Sequence, residues 1–456
     1  MAATIDLDYN YAFASEMSPS STSQRKLSLA TSGGAEKNPF FFTGRFNSPK
    51  QSADLLLALS TISRTRFFSP GELRERMKAA ADPVVTSDGN QLRFEVFSVC
   101  CGVYGRLDLH NNAFAGDWIG KGTTNVDFNP AIRAALGSVM TSDEVALRVG
   151  ADRVELERAG HTSVERKVKL PVRWLKSFVE VQVYQSMLKK VIELPQWELA
   201  KILRKLPQQN ILQAGTITYL VPTDKAVRLS QREAPGSVAV GAISRLKILE
   251  PILRYADSVR IYGGDNAVSA FELKFAEGSF FFVLSPNAAR GFSGEGQALS
   301  GLSSESSSDA IDRVRSALVW QRDVDTKELS SALGIEKEKV FGALQVLGTR
   351  GLAGFDLASG KFFHRELPFD LSLIEKLQPR MKKARQLFDR HDVRLVKLDN
   401  DEYEAYVKGT TVQHFVKVSA DGSKCTCDWF TKHQGERGPC SHVLAADLAV
   451  DAMELN

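Results

Sequence analysis

Cys425-Thr426-Cys427 and Cys440-Ser441-His442 place three thiols and an imidazole at the two ends of segment 428–439. Folding that segment back on itself brings the two pairs together. The result is four N/S donors, the set that closes a tetrahedral Zn²⁺ site. A C-x-C pair suits the end of a strand or a tight turn, and a C-x-H pair suits the first turn of a helix. The plainer alternative is three reduced thiols in a loop. It sits badly with a chain of 456 residues and five cysteines, three of which fall here beside a histidine. His433, inside the segment, and His414, upstream, are spare imidazoles, each more often a surface residue.

Other reactive side chains lack partners in the sequence. Cys100 and Cys101 are adjacent in the apolar stretch 97–103, where successive strand residues face opposite ways, so they read as small core residues. Arg290-Gly291-Phe292-Ser293-Gly294-Glu295-Gly296 approaches a nucleophile elbow, but Glu295 stands where the pattern needs glycine. It reads instead as a turn whose amides could accept an anion. His364, between Phe363 and Arg365, has no nucleophile near it in sequence and reads as structural. The expectation is a non-enzymatic protein. A nuclease or transposase-like alternative would need carboxylates that only folding could gather.

The metal-ligating pairs require particular elements. Residues 403–408 and 412–418 alternate as a hairpin joined by Gly409-Thr410-Thr411, and Leu444, Leu448 and Leu455 mark one face of a helix after His442. Strand, strand, C-x-C, variable loop, C-x-H and helix resemble the SWIM zinc finger over residues 401–456. The resemblance implies a module that binds DNA or protein, and no reaction. The loop would offer Trp429, Phe430, Lys432, His433 and Arg437 to a partner. Aromatic and basic side chains suit stacking on bases with phosphate contact, and equally an aromatic-anchored protein interface.

Composition bounds the rest. With 43% hydrophobic and 25% charged residues, the chain has ordinary globular composition, enough for about three domains. No apolar run is long enough to span a bilayer and no leader pattern opens the chain, so no membrane association and a reducing, cytoplasmic setting are expected. A net charge of +4 permits contact with nucleic acid without arguing for it.

The expected fold class is multidomain α+β. Residues 1–38, rich in Ser, Thr, Ala and Gly, read as a disordered tail. Residues 39–171 hold two strand–helix–meander units, with helices opened by Ser48-Pro49 and Asn129-Pro130. The meander strands of the second are expected at 144–149, 153–158 and 164–170. Residues 172–210 read as a helical connector. Residues 211–297 hold a third unit, with a strand at 237–240, a helix at 245–256 and three strands after it. This order resembles the repeat of sliding clamps and TATA-binding proteins.

A Gly/Ser-rich linker at 298–309 leads to a module at 310–365 that resembles a winged helix. There Asp325 and Glu328 form a capping box, Gly334 stops the helix, and a hairpin spans 351–363. Lys337 and Lys339 alternate with Glu336 and Glu338, so its third helix is a weak DNA reader, and protein docking is the alternative. Residues 366–400 form a helical segment, helical over 371–397, and Arg380, Lys382, Lys383 and Arg385 lie within it. Such a run could hold phosphate, though it more often forms a solvated face.

Beyond the finger, residues 97–104, 122–129, 290–296, 363–370 and 425–442 resemble a family of bacterial SWIM-finger proteins found beside MoxR-type AAA+ ATPases and von Willebrand A-domain proteins. That resemblance implies an adaptor role with such a partner, as an alternative to nucleic-acid binding.

Overall fold

A computed structural model describes residues 7–10, 16–19, 24–29, 42–66, 83–125, 128, 130–149, 167–170, 172–206, 216–223, 226–264, 267–286, 291–294, 296, 298, 308–367, 379–398, 402–419 and 422–454. It is mixed α+β with several sheets. Among the described residues no helix is long and apolar enough to cross a membrane.

The largest sheet has eight antiparallel strands. In order they are Lys189–Pro195, Ser258–Gly263, Ser269–Phe275, Gly278–Leu284, Val103–His110, Gln91–Phe97, Val84–Ser87 and Gly122–Asn125. Two distant parts of the chain meet where Phe281 pairs with Arg106. The helix Pro49–Arg64 covers one face and packs against a 3₁₀ segment, Ile243–Tyr255. Gly105 is the close-approach point, where a Cβ would lie 2.8 Å from Ile62 and 3.4 Å from Leu59.

The opposite face carries Arg93, Glu95, Phe97, Tyr104, Arg106 and Asp108. Such alternation ordinarily marks a solvent face. Here it is buried. The helix Val172–Met187 lays Trp174 and Phe178 on Phe97, with ring centroids at 5.7 and 4.9 Å. The remaining polar groups meet the hairpin of the three-helix module. That module comprises helices Ser308–Ser316, Thr326–Leu333 and Lys337–Thr349 with strands Ala353–Asp356 and Lys361–His364, around its own apolar cluster. Asp325 caps the second helix, accepting from the Lys327 and Glu328 amides, and Gly334 closes it at φ 62°. From the hairpin, Asp356 accepts from Arg106 at 2.7 Å and Arg93 at 3.2 Å, and Arg93 also holds Asp108 at 2.8 Å. Arg365 pairs with Glu95, which accepts from the Tyr104 hydroxyl at 2.6 Å.

The C-terminal part is a four-stranded antiparallel sheet, Val393–Lys397, Tyr403–Lys408, Gln413–Val418 and Lys424–Cys425. The helix Ser441–Glu454 packs on this sheet and on the helix Pro379–Asp389. Leu444 and Leu448 are buried as the periodicity requires, while Leu455 lies outside the described residues.

Several expectations need correction. The stretch 1–38 carries strands Leu7–Asn10, Glu16–Pro19 and Gln24–Leu29. The first pairs with Lys167–Leu170 and the third runs parallel to Glu144–Val149. Composition carried no sign of strand partners more than a hundred residues away. The helical connector breaks at Met187, because Lys189–Pro195 joins the large sheet before the helix Gln196–Lys205 begins. The helix expected to run to 397 ends at Asp389. His391 takes a left-handed φ of 57°, and Val393–Lys397 pairs as an edge strand instead.

The second expected unit does not form a meander of its own, since Gly122–Asn125 and Glu144–Val149 enter different sheets. The helix expected at 245–256 winds as 3₁₀ with Pro251 inside it. Ser48 makes no cap, and its hydroxyl donates to Glu277 at 2.6 Å. The strand expected at 153–158, the cap at Asn129 and most of linker 298–309 lie outside the described residues.

Candidate metal centre

Four local structures deliver four donors. Pairing of Cys425 with Val416 fixes the first at the edge of the C-terminal sheet. Cys427 is the N-cap of the short helix Asp428–His433, its sulfur accepting the Phe430 amide at 3.5 Å. Its own amide donates to Cys425 Sγ at 3.4 Å. Cys440 precedes the helix Ser441–Glu454 and accepts the Val443 amide at 3.4 Å. His442, in that helix's first turn, points Nδ1 to within 3.9 Å of Cys425 Sγ.

The four donor atoms lie within 4.8 Å of one another, and all four residues are at most 7% exposed. Zn–S and Zn–N bonds in a tetrahedral site set donor separations of roughly 3.5–3.8 Å. A small contraction therefore completes the shell. Backbone N–H bonds to all three sulfurs are the outer contacts that hold thiolates in place.

The thiols also share protons unequally. Cys427 is pulled down because Cys425 and Cys440 donate to it. Cys425 is pushed up, chiefly by that same contact. Cys440 is pushed up to about 11: contact with Cys425 lowers it, while Cys427 and burial raise it more. Only thiolates ligate, so binding a dication releases these protons.

The surroundings differ from an exposed loop. Residues 428–433 are helical because Cys427 caps them. Trp429 and Phe430 are half-buried against the core, and Lys432 is exposed. The Trp429 ring is engaged by the guanidiniums of Arg380, 4.7 Å from its centroid, and Arg437, at 4.8 Å. It also meets His433 edge-on at 4.5 Å. His433 Nε2 lies 3.4 Å from Arg437, turned to that pair rather than to the sulfurs.

His414 stands against the metal site, its ring 4.2 Å from that of His442. A cavity of about 270 Å³ opens beside the donors, lined by Arg380, Lys383, His414, Asp428, Trp429 and Ser441 together with Cys427, Cys440 and His442. In the sequence the basic run and the finger are separate features. No local signal announces that the helix Pro379–Asp389 lies against the finger helix.

The remaining candidates are structural in their contacts. Ser293 accepts from Arg173 at 3.0 Å, and Arg173 also bonds the Cys100 carbonyl at 3.2 Å. Burial pushes the Cys101 thiol up. His364 Nδ1 accepts the Trp320 amide at 2.7 Å, and burial lowers its pKa.

Residues 414–450 match the family model of the SWIM zinc finger. With the Cys425, Cys427, Cys440 and His442 cluster, that match fits Zn²⁺ binding. No curated protein matches the chain. Among solved structures, the chain is similar to proliferating cellular nuclear antigen from Entamoeba histolytica, with 11% identity and a TM-score of 0.34, over 54% of this chain and 99% of that one. A likeness at that level bears on no functional conclusion for this chain.

Proposed function

We propose that this is a non-enzymatic protein whose zinc-organised C-terminal module binds nucleic acid. One observation carries the reading. Arg380 and Lys383, from the basic helix, line the same cavity as the donors Cys427, Cys440 and His442, and Arg380 Nη1 is fixed to the carbonyls of Arg437 and Pro439 at 2.9 and 2.8 Å. The cations of the basic helix thus lie on the finger's own surface, where phosphate neutralisation would use them. The engaged Trp429 ring argues for phosphate contact over base stacking. The test is a mobility-shift titration of the zinc-loaded chain with duplex and single-stranded DNA across salt concentrations. Binding that weakens steeply with salt is expected, and no binding at low salt would refute the reading.

A second reading, a protein adaptor for a AAA+ ATPase or von Willebrand A-domain protein, draws on the winged-helix-like module. Its hairpin is buried against the large sheet, while Val319 and Phe341 of the module are 63% and 37% exposed. A wing held this way is poorly placed for a groove. Recovery of such an ATPase or A-domain partner in a pull-down would favour this reading. The strand–helix–meander segments that meet at Phe281 and Arg106 are read, within the same proposal, as clamp-like units that scaffold the finger.

A further inference from the structure

The cavity beside the zinc donors has a more specific chemistry. Its lining carries two cations, Arg380 and Lys383, against the Asp428 carboxylate and the zinc-bound thiolates, whose site keeps one net negative charge with Zn²⁺ in place. Arg380 is immobilised by the Arg437 and Pro439 carbonyls and by Trp429. Gly296 approaches its guanidinium so closely that a Cβ there would overlap it. Lys383, one turn on, is exposed. The fourteen-residue helix Ser441–Glu454 begins at the cavity wall with Ser441 and His442, so its positive dipole end lies there as well.

At about 270 Å³ the space falls just below the roughly 300–1,000 Å³ of sites for small organic ligands. It accommodates a phosphate and its ester oxygens. It offers no free aromatic face, because the Trp429 ring already holds Arg380, Arg437 and His433.

Building on the nucleic-acid reading, we infer that this cavity seats one backbone phosphodiester, between the fixed Arg380 and the free-swinging Lys383, and reads no bases. Asp428 and the thiolate-rich zinc site offset most of the positive charge, so a lone phosphate ion gains little there. A polyanion gains more, since it extends beyond the cavity to other exposed cations, of which Lys382 and Lys432 are close in sequence to the lining. Phosphate contacts set position and affinity without sequence information.

The experiment is fluorescence anisotropy with the full-length, zinc-loaded chain and two labelled single-stranded DNA oligonucleotides, one of mixed sequence and one of thymidine alone. Salt is varied from about 50 to about 200 mM. Both oligonucleotides are expected to bind alike. Lys383→Gln should weaken both by the same factor and reduce the slope of log K against log salt by about 0.7, one single-strand phosphate contact. Lys189→Gln, on an edge strand of the large sheet and outside the cavity lining, should change neither. Zinc content of each variant monitors folding. If wild-type protein binds but Lys383→Gln keeps its affinity and slope, the cavity assignment is wrong while the nucleic-acid reading stands. Affinities for the two oligonucleotides more than about tenfold apart would point to base readout and also overturn it. Failure of wild-type protein to bind at about 50 mM salt removes both.

Discussion

Cys440 illustrates how much one side chain does in this finger. Its sulfur contacts the other two thiols and also accepts the Val443 amide, so it ties the metal site to the start of the C-terminal helix. Replacing it by serine leaves a hydroxyl, a poor zinc ligand near neutral pH because it keeps its proton. Cys440→Ser should therefore take zinc from equimolar with the chain to near absence in elemental analysis. A variant that retained zinc would show that the cluster closes differently. Acid acts in the same direction. Cys425 and Cys440 hold their protons more tightly than ordinary thiols, so zinc affinity rises with pH and falls as protons compete for sulfur. The ligand residues were legible because their spacing is itself the chemistry. The neighbours were not: His414 reaches His442 only because the finger helix packs across its strand, and Arg380 reaches Trp429 only because two helices pack.

Among elements, the hairpin Ala353–Asp356 and Lys361–His364 shows where local pattern and tertiary role part. The capping signals of its module were plain, with Asp325 and Gly334 bounding the helix Thr326–Leu333 as their residue types suggest. Its docking was not, because the sheet face that receives it alternates like a solvated one. Asp356 stands between Arg93 and Arg106, and both also bond Asp108. Asp356→Ala should cost about 3–5 kcal/mol in urea denaturation, the usual penalty for leaving buried charge unpaired. A loss below about 1 kcal/mol would mean that the contact is spectator packing. The pH dependence has a definite sign. Burial would raise the Asp356 carboxyl, but Arg106 and Arg93 more than reverse that, so its pKa falls well below 3.8. A depressed carboxylate stabilises the fold above its unfolded pKa and loses that contribution as pH falls towards the folded value. The Asp356 contribution is therefore insensitive to pH near neutrality and is lost only below about pH 4.

For the molecule as a whole, one extensive core runs from the large sheet into the finger, but the finger adds to it only a small four-stranded sheet and a helix, which a metal site ties together. Where a structural site binds zinc, the binding free energy is folding free energy. Chelation should release amide protection across residues 401–456 while the sheet strands between 84 and 284 keep theirs, as read by hydrogen exchange. Uniform protection before and after chelation would contradict that division. The sequence by itself determined the zinc donors, the hairpin and helix that hold them, and the caps of the three-helix module. Each of these is a short-range relation, in which spacing or residue type specifies the contact. Only the tertiary structure decided that Leu7–Asn10, Glu16–Pro19 and Gln24–Leu29 add strands, that Lys189–Pro195 leaves a helical stretch for a sheet, that a polar sheet face lies buried under a hairpin, and that a basic helix walls a cavity at the metal site. Those outcomes depend on partners distant along the chain, and no local periodicity encodes which partner will arrive.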